Sequence, residues 1–314
     1  MRRRTDLDAQ VREVLAEFEV QGIPPWHAIS VEAARALEDE LFSAGSGPEV
    51  GRVQHLGIPR RDGPGTIPIR TYHPDPAAPE DPPILVFYHG GLWAMGTLDS
   101  ADDLARNLAA RVGALLISVE YRLAPEHPFP AGLEDAYAAF EWAREHGASL
   151  GGDPARVGVV GSSSGGNLAA AVALWARDER RNVAVQGLLY PILRSDFETG
   201  SYEENADAPL LTRDAIAHYF DRYVRSEVDR AHPFVAPLLS ADLSNVAPAV
   251  IVTAGHDPLR DDGFAYAERL SEAGVEVAHR NEPAMCHGFL SLADDVDRAA
   301  KTFEAVTAEL RARL

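Results

Sequence analysis

From residue 84 onward the chain alternates short, dense apolar runs with longer segments whose apolar residues recur at helical spacing. The runs are Ile84–Tyr88, Ala114–Glu120, Val157–Gly161, Gln186–Tyr190, Ala249–Ala254 and Val275–Arg280. Strands buried on both faces read as continuous apolar stretches, and parallel neighbours need a long crossover between them. This rhythm therefore predicts an α/β fold with a mostly parallel sheet flanked by helices. Two earlier runs, Val53–Ile58 and Ile67–Tyr72, bracket Arg60-Arg61-Asp62-Gly63-Pro64-Gly65 and read as a hairpin, which brings the expected sheet to eight strands. The Pro-rich run Pro74–Pro83 then delivers the chain to the third strand.

Two segments fall outside the rhythm. Residues 1–45 carry apolar positions at helical spacing (Val11, Val14, Leu15, Phe18, then Ala33, Ala34, Leu37, Leu41), broken by Gly22-Ile23-Pro24-Pro25, so two short helices are expected. Residues 194–236 contain no strand-like run and read as an insertion between the sixth and seventh strands, with an amphipathic helix marked by Ala215, Tyr219, Phe220 and Tyr223. The expected organisation is an N-terminal helical segment over 1–45 and one α/β domain over 46–314 that carries the insertion.

Acidic residues outnumber Lys and Arg 48 to 29, a formal charge of −19, which argues against a partner bound by neutralising phosphates; no nucleic acid is expected. No stretch of about 18 apolar residues occurs, so no membrane span is expected. The single cysteine, Cys286, excludes an intramolecular disulfide framework and a zinc site of several thiolates. Polar residues follow Met1-Arg2-Arg3-Arg4 where the apolar core of a signal peptide would begin, so a reducing, cytoplasmic setting is expected. There is no His-Glu-x-x-His pair and no carboxylate array at ligand spacing, hence no metal and no cofactor is expected.

The chemistry-bearing motifs all follow strands. Gly161-Ser162-Ser163-Ser164-Gly165-Gly166 ends the fifth strand and precedes the helix-forming Asn167-Leu168-Ala169-Ala170-Ala171. Small residues around a serine on so sharp a strand-to-helix turn suit a nucleophile elbow with Ser163 exposed, although a plain turn or an anion-binding helix start has the same local look. Tyr88-His89-Gly90-Gly91-Leu92-Trp93 follows the third strand, where backbone N–H groups serve a tetrahedral oxyanion. Gly255-His256-Asp257-Pro258-Leu259-Arg260-Asp261-Asp262 follows the seventh, and Met285-Cys286-His287-Gly288-Phe289 the eighth.

The order Ser, Asp, His is the order of the α/β-hydrolases. Asp257 lies nearest its strand end, whereas Asp261 and Asp262 fall where a helix begins, so Asp257 is the expected orienting acid and His287 the expected base. His89 and His256 are rival histidines in positions suited to structural hydrogen bonds. Cys286, adjacent to the base, reads as a packed bystander.

With these residues in place, the chain resembles the bacterial hormone-sensitive-lipase-like carboxylesterases of the α/β-hydrolase superfamily. The similarity runs from about Ile67 to Phe289 and includes Tyr121-Arg122-Leu123-Ala124-Pro125-Glu126-His127-Pro128-Phe129-Pro130-Ala131 without a break, the DPLRDDG run Asp257–Gly263, and His287-Gly288-Phe289. The resemblance implies a serine carboxylesterase acting on short to medium acyl esters through an acyl-enzyme. It also implies a cap built from the N-terminal helices and the insertion, and oxyanion donors on the backbone of Gly90, Gly91, Leu92 and Ser164. Its partner would be a small-molecule ester, and a homodimer is left open.

Two departures stand out. Leu92 replaces the family's usual third glycine, so a β-carbon narrows the site; His-Gly-Gly-x-Trp also resembles the arylformamidase loop, which keeps amide hydrolysis as the alternative within the fold. Ser162 and Ser164 flank the nucleophile where the family usually has an acid and an alanine. A non-catalytic receptor on the same fold is the alternative outside catalysis; receptors of this kind lose the histidine that this chain keeps. Leu92 and Trp93, with Leu210, Leu211, Tyr219 and Phe220 as apolar cover, are expected to shape a closed pocket of limited depth. Acyl chains from acetyl to about octanoyl should fit best.

Overall fold

The computed structural model describes residues 4–43, 47–75 and 81–314. Met1–Arg3 of the basic opening and residues 76–80 of the Pro-rich run lie outside the described residues.

All eight expected strands form one sheet. They are β1 (Arg52–Pro59), β2 (Thr66–His73), β3 (Pro83–Tyr88), β4 (Leu115–Val119), β5 (Asp153–Ser162), β6 (Gln186–Leu189), β7 (Ala249–His256) and β8 (Val277–Cys286). Their spatial order is β1-β2-β4-β3-β5-β6-β7-β8. The β1–β2 and β2–β4 pairs are antiparallel and every later pair is parallel.

Alternation along the strands divides the core in two. From β3, Ile84, Val86 and Tyr88 join one apolar cluster, and Leu85 and Phe87 the other. The first cluster is closed by α4 (Ala131–His146), α5 (Ser164–Asp178) and α9 (Arg260–Glu272); the second by α3 (Asp102–Val112) and α10 (Asp297–Arg311). Both faces of the central strands are thus covered, which is why they read as unbroken apolar runs. Truncating a buried leucine such as Leu85 to alanine should cost about 2–5 kcal/mol.

β8 is longer than the apolar pattern suggests: expected over Val275–Arg280, it runs to Cys286. Glu282 and Pro283 disguise it. Glu282 is buried against Arg280 and Arg298, and Pro283 is tolerated because β8 is an edge strand whose pairing with β7 shifts between Ala254 and His256.

The N-terminal segment folds as α1 (Ala9–Gln21) and α2 (Val31–Phe42), the latter capped by the Ser30 hydroxyl accepting from Ala33 N–H. The insertion holds α6 (Gly200–Glu204), α7 (Arg213–Tyr223) and α8 (Glu227–Arg230). In α7, Ala215, Ile216, Tyr219, Phe220 and Tyr223 are buried, the stripe its periodicity predicts. Trp26 Nε1 donates to the Leu210 carbonyl at 3.1 Å and Tyr219 Oη donates to the Trp26 carbonyl at 3.1 Å, so the two segments are tied together over the ends of the parallel strands.

Candidate active site

The chain turns from β5 into α5 at Ser163, whose backbone adopts φ 57° and ψ −118°. A positive φ at a residue with a β-carbon costs on the order of 1–3 kcal/mol and persists only where surrounding structure imposes it. The packing is tight enough to do so. A β-carbon at Gly161 would overlap the Gly165 carbonyl, and one at Gly165 would overlap the Tyr88 carbonyl, so both positions require glycine. Ser163 N–H donates to the Leu189 carbonyl at 2.8 Å, which ties the elbow to β6.

Ser163 Oγ lies 3.0 Å from His287 Nε2, and His287 Nδ1 lies 2.8 Å from Asp257 Oδ2. Asp257 is fully buried at the end of β7, and its other oxygen accepts from Leu259 N–H at 2.8 Å, which leaves the carboxylate one orientation. The Tyr190 ring meets the imidazole edge-on at 4.9 Å. Ser163, Asp257 and His287 are therefore brought together from three strand ends. Their arrangement lets the imidazole take a proton from the hydroxyl while the buried carboxylate stabilises the resulting charge.

The loop after β3 lies against this elbow. A β-carbon on Gly90 would sit 3.3 Å from the Ser163 β-carbon. Gly91, Leu92 and Trp93 follow at φ 111°, 54° and 58°, forming a turn closed by Ala94 and Met95 N–H donating to the Gly91 carbonyl. The N–H groups of Gly90, Gly91 and Leu92 donate to no group among the described residues. Ser164 N–H opens α5, where helical geometry provides no internal acceptor. Four N–H groups beside the serine are thus left without an acceptor among the described residues, which is what donors to a developing negative charge must be.

The other singled-out residues have structural roles. Buried His89 stacks on Tyr121 with ring centres 4.4 Å apart, and its Nδ1–H donates to the Gly90 carbonyl at 2.7 Å; burial holds its pKa below the usual histidine range. His256 Nε2 donates to the Thr5 carbonyl at 2.8 Å. Asp261 accepts from Ser201 N–H, and buried Asp262 from Arg194 Nε at 2.7 Å and Leu193 N–H at 2.9 Å. Burial pushes the Cys286 thiol up to about 12, which removes the thiolate a rival nucleophile would need. Among the described residues no cluster of three or more His, Cys, Asp or Glu could hold a metal ion.

A cavity of about 180 Å³ opens over the elbow. Ser163, His287, Gly90, Gly91 and Leu92 form its floor, and Leu210 and Leu211 line it from the insertion. Trp93, Tyr219 and Phe220 do not line it, contrary to the sequence-based expectation. The positive φ turns Trp93 away, and its ring stacks on Tyr223 at 4.4 Å and meets Phe220 edge-on. These rings fasten the insertion to the loop from behind.

Among the walls that sequence reasoning missed are Phe18, Trp26, Glu38 and Phe42 from the N-terminal segment and Tyr190 after β6. Phe18 had a visible signal in the helical stripe of α1, but a stripe does not say whether it faces a core or a cavity. Phe18, Trp26, Phe42 and Leu210 also border an adjoining apolar cavity of about 550 Å³.

Comparison with known proteins shows the family to which this fold belongs. A family profile described as alpha/beta hydrolase fold matches residues 85–291. The carboxylesterase NlhH of Mycobacterium tuberculosis is 44% identical over 95% of this chain and 93% of its own. An ethyl acetate hydrolase of Pseudomonas putida is 34% identical over 98% of each chain. Among solved structures, the ester hydrolase EH1AB1 from the metagenome of Lake Arreo, complexed with a bipyridine phosphonate derivative, superposes with a TM-score of 0.91 at 35% identity, covering 98% of each chain.

Proposed function

The chain belongs to the α/β-hydrolase family, in its hormone-sensitive-lipase-like carboxylesterase branch, and from that membership we propose Ser163 as its nucleophile, His287 as general base and Asp257 as the orienting acid. The protein is a serine carboxylester hydrolase.

In the first half-reaction Ser163 Oγ bonds to the acyl carbon as its proton passes to His287 Nε2 and the carbonyl π pair becomes an oxyanion. The N–H groups of Gly90, Gly91, Leu92 and Ser164 receive that charge. Collapse of the tetrahedral species breaks the bond to the alcohol oxygen, which takes the proton from His287, and leaves an acyl-Ser163. Water then repeats the sequence and releases the acid. The observation that carries the reading is the unbroken 3.0 and 2.8 Å path from hydroxyl to imidazole to buried carboxylate, beside Gly90, Gly91 and Leu92, whose N–H groups have no acceptor among the described residues.

The N-terminal helices and the insertion act as a cap over the elbow, and the cavity they close favours short to medium acyl chains. The lone, buried Cys286 supports a reducing, cytoplasmic setting.

Hydrolysis of p-nitrophenyl butyrate tests the assignment. Ser163→Ala should lose roughly three orders of magnitude or more in turnover, since only the oxyanion donors and binding remain, while Ser162→Ala stays within about tenfold. An equal loss in the two variants would sink the elbow assignment.

A further inference from the structure

We propose that Arg35, on the N-terminal helix α2, is a positioning residue for the oxyanion loop, so that part of the cap shapes the transition-state site as well as covering it. The proposal rests on the reading of Gly90–Leu92 as oxyanion donors.

Arg35 reaches from α2 into the body of the molecule and makes four charge-assisted hydrogen bonds. Nε donates to the Ala94 carbonyl at 2.7 Å, and Nη2 to the Ala124 carbonyl at 2.9 Å. Nη1 and Nη2 each donate to the Glu126 carboxylate at 2.7 Å, a fork-to-fork pair. The Arg35 guanidinium holds the Glu126 carboxyl down at about 2, so the pair stays charged across the working pH range.

Both carbonyls belong to segments that fix the turn. Ala94 directly follows Leu92 and Trp93, the two consecutive non-glycine residues at positive φ. Ala124 N–H donates in turn to the Trp93 carbonyl at 2.9 Å. Arg35 therefore clasps both strands of a small backbone clamp whose other jaw is the strained turn. Trp93 is seated from the opposite side by its stack on Tyr223 of α7. The inner end of the loop has its own support, Tyr121 Oη donating to the His89 carbonyl at 2.8 Å. The outer end, which carries the Leu92 N–H, has Arg35.

A turn in sparsely populated backbone space relaxes when its restraints are removed. Arg35 touches neither the cavity nor the reacting atoms, so its loss should act through the aim of the donors. Removing one oxyanion donor outright lowers turnover by about 10²–10³, and misplacement by about 1 Å costs on the order of 10². Arg35→Met keeps the aliphatic stem and removes every donor.

The experiment measures kcat and KM for p-nitrophenyl butyrate together with the affinity of an alkyl trifluoromethyl ketone. Ser163 Oγ adds to that ketone, its proton passing to His287, to give a hemiketal whose oxygen carries the negative charge, so the inhibitor reports the hole directly. For Arg35→Met, kcat should fall at least tenfold, ketone affinity should fall by a similar factor, and KM should stay within about threefold. Arg35→Lys, which can serve one carbonyl but not the fork, should recover part of both losses. Glu126→Gln, which leaves the bonds to Ala94 and Ala124 intact, should lose less than Arg35→Met. If Arg35→Met melts earlier yet keeps ketone affinity and kcat, Arg35 only docks the cap and the proposal is overturned. A rise in KM alone overturns it equally. If the wild-type enzyme hydrolyses the ester but does not bind the ketone, the donor assignment fails instead.

Discussion

Replacing Leu92 with glycine tests how the active-site turn is balanced, because two effects of comparable size oppose each other. Leu92 is 4% exposed and lines the cavity. Losing its buried side chain costs about 2–5 kcal/mol, judging by leucine truncations elsewhere. Its backbone sits at φ 54°, where an L-residue carries roughly 1–2 kcal/mol that glycine does not. Glycine returns about 0.5–1 kcal/mol of this through the extra freedom of the unfolded chain. The packing loss wins, and Leu92→Gly should be less stable by about 1–4 kcal/mol, read as the shift in urea midpoint at unchanged slope. Activity should move differently. The turn is one that glycine adopts freely, so the oxyanion donors stay in place while the wall recedes. Each methylene newly buried is worth about 0.8 kcal/mol, or roughly fourfold in kcat/KM. The specificity profile over p-nitrophenyl esters from acetate to laurate should peak between acetyl and about octanoyl in the wild type and shift by at least two carbons in the variant. A profile that keeps its peak would show that Leu92 is not the limiting wall. A stability gain would show that backbone strain at this position outweighs packing.

Two further outcomes follow from burial and charge. Asp257→Asn should lower kcat by roughly 10³–10⁴ with little change in folding, since the amide no longer holds the imidazole in its working tautomer. Asp262→Asn should instead destabilise the protein by about 1–3 kcal/mol, as it weakens the buried hydrogen bonds to Leu193 N–H and Arg194 and leaves the half-buried Arg194 with only the exposed Asp196 as a carboxylate partner, with far milder loss in the folded fraction's kcat; equal kcat losses would refute the division of roles. Burial raises the Glu38 carboxyl from its ordinary 4.5 to about 7, so the native state favours its neutral form and loses stability as pH climbs from the unfolded value through the folded one. Glu38→Gln, neutral throughout, should therefore gain on the wild type by about 2 kcal/mol between pH 5.5 and 8.5 in urea unfolding, and a constant difference across that range would show that Glu38 is ordinary.

What was legible in the sequence depends on how far each contact reaches. Ser163, Asp257 and His287 stand at strand ends, and a strand fixes the position of the residue after it, so local motifs were enough to pick three side chains that meet in space. Glu282 and Pro283 hid the second half of β8 because their compensation is tertiary: Arg280 and Arg298 neutralise the buried acid, and an edge position excuses the proline. The cavity walls were the least readable part. Phe18, Trp26 and Phe42 depend on how α1 and α2 dock, and the same apolar stripe would serve a core as well as a cavity. Trp93 failed for a related reason. Its place beside the glycine pair suggested a wall, but the direction of its side chain is set by a backbone angle that composition does not announce.

That angle is part of a pattern around the site. Among the described residues, eight non-glycine positions have positive φ, and four of them, Leu92, Ser163, Tyr190 and Leu210, line the cavity over the elbow. Each costs on the order of 1–3 kcal/mol, so their concentration over one cavity is a charge against stability that the rest of the fold must offset. The two-faced sheet core does so, and the clamps nearest the site direct where the strain is held: Leu189 against Ser163, and Arg35 through Ala94 and Ala124 against Leu92 and Trp93. Leu92 shows why sequence rules lose their grip at this point. The resemblance places glycine there, and the observed φ is one that glycine would adopt at little cost. The chain keeps the turn without the glycine and accepts the strain, and the leucine side chain so gained becomes a wall of the cavity. A local rule is broken where a functional surface is obtained, which is where sequence-level consistency is expected to fail.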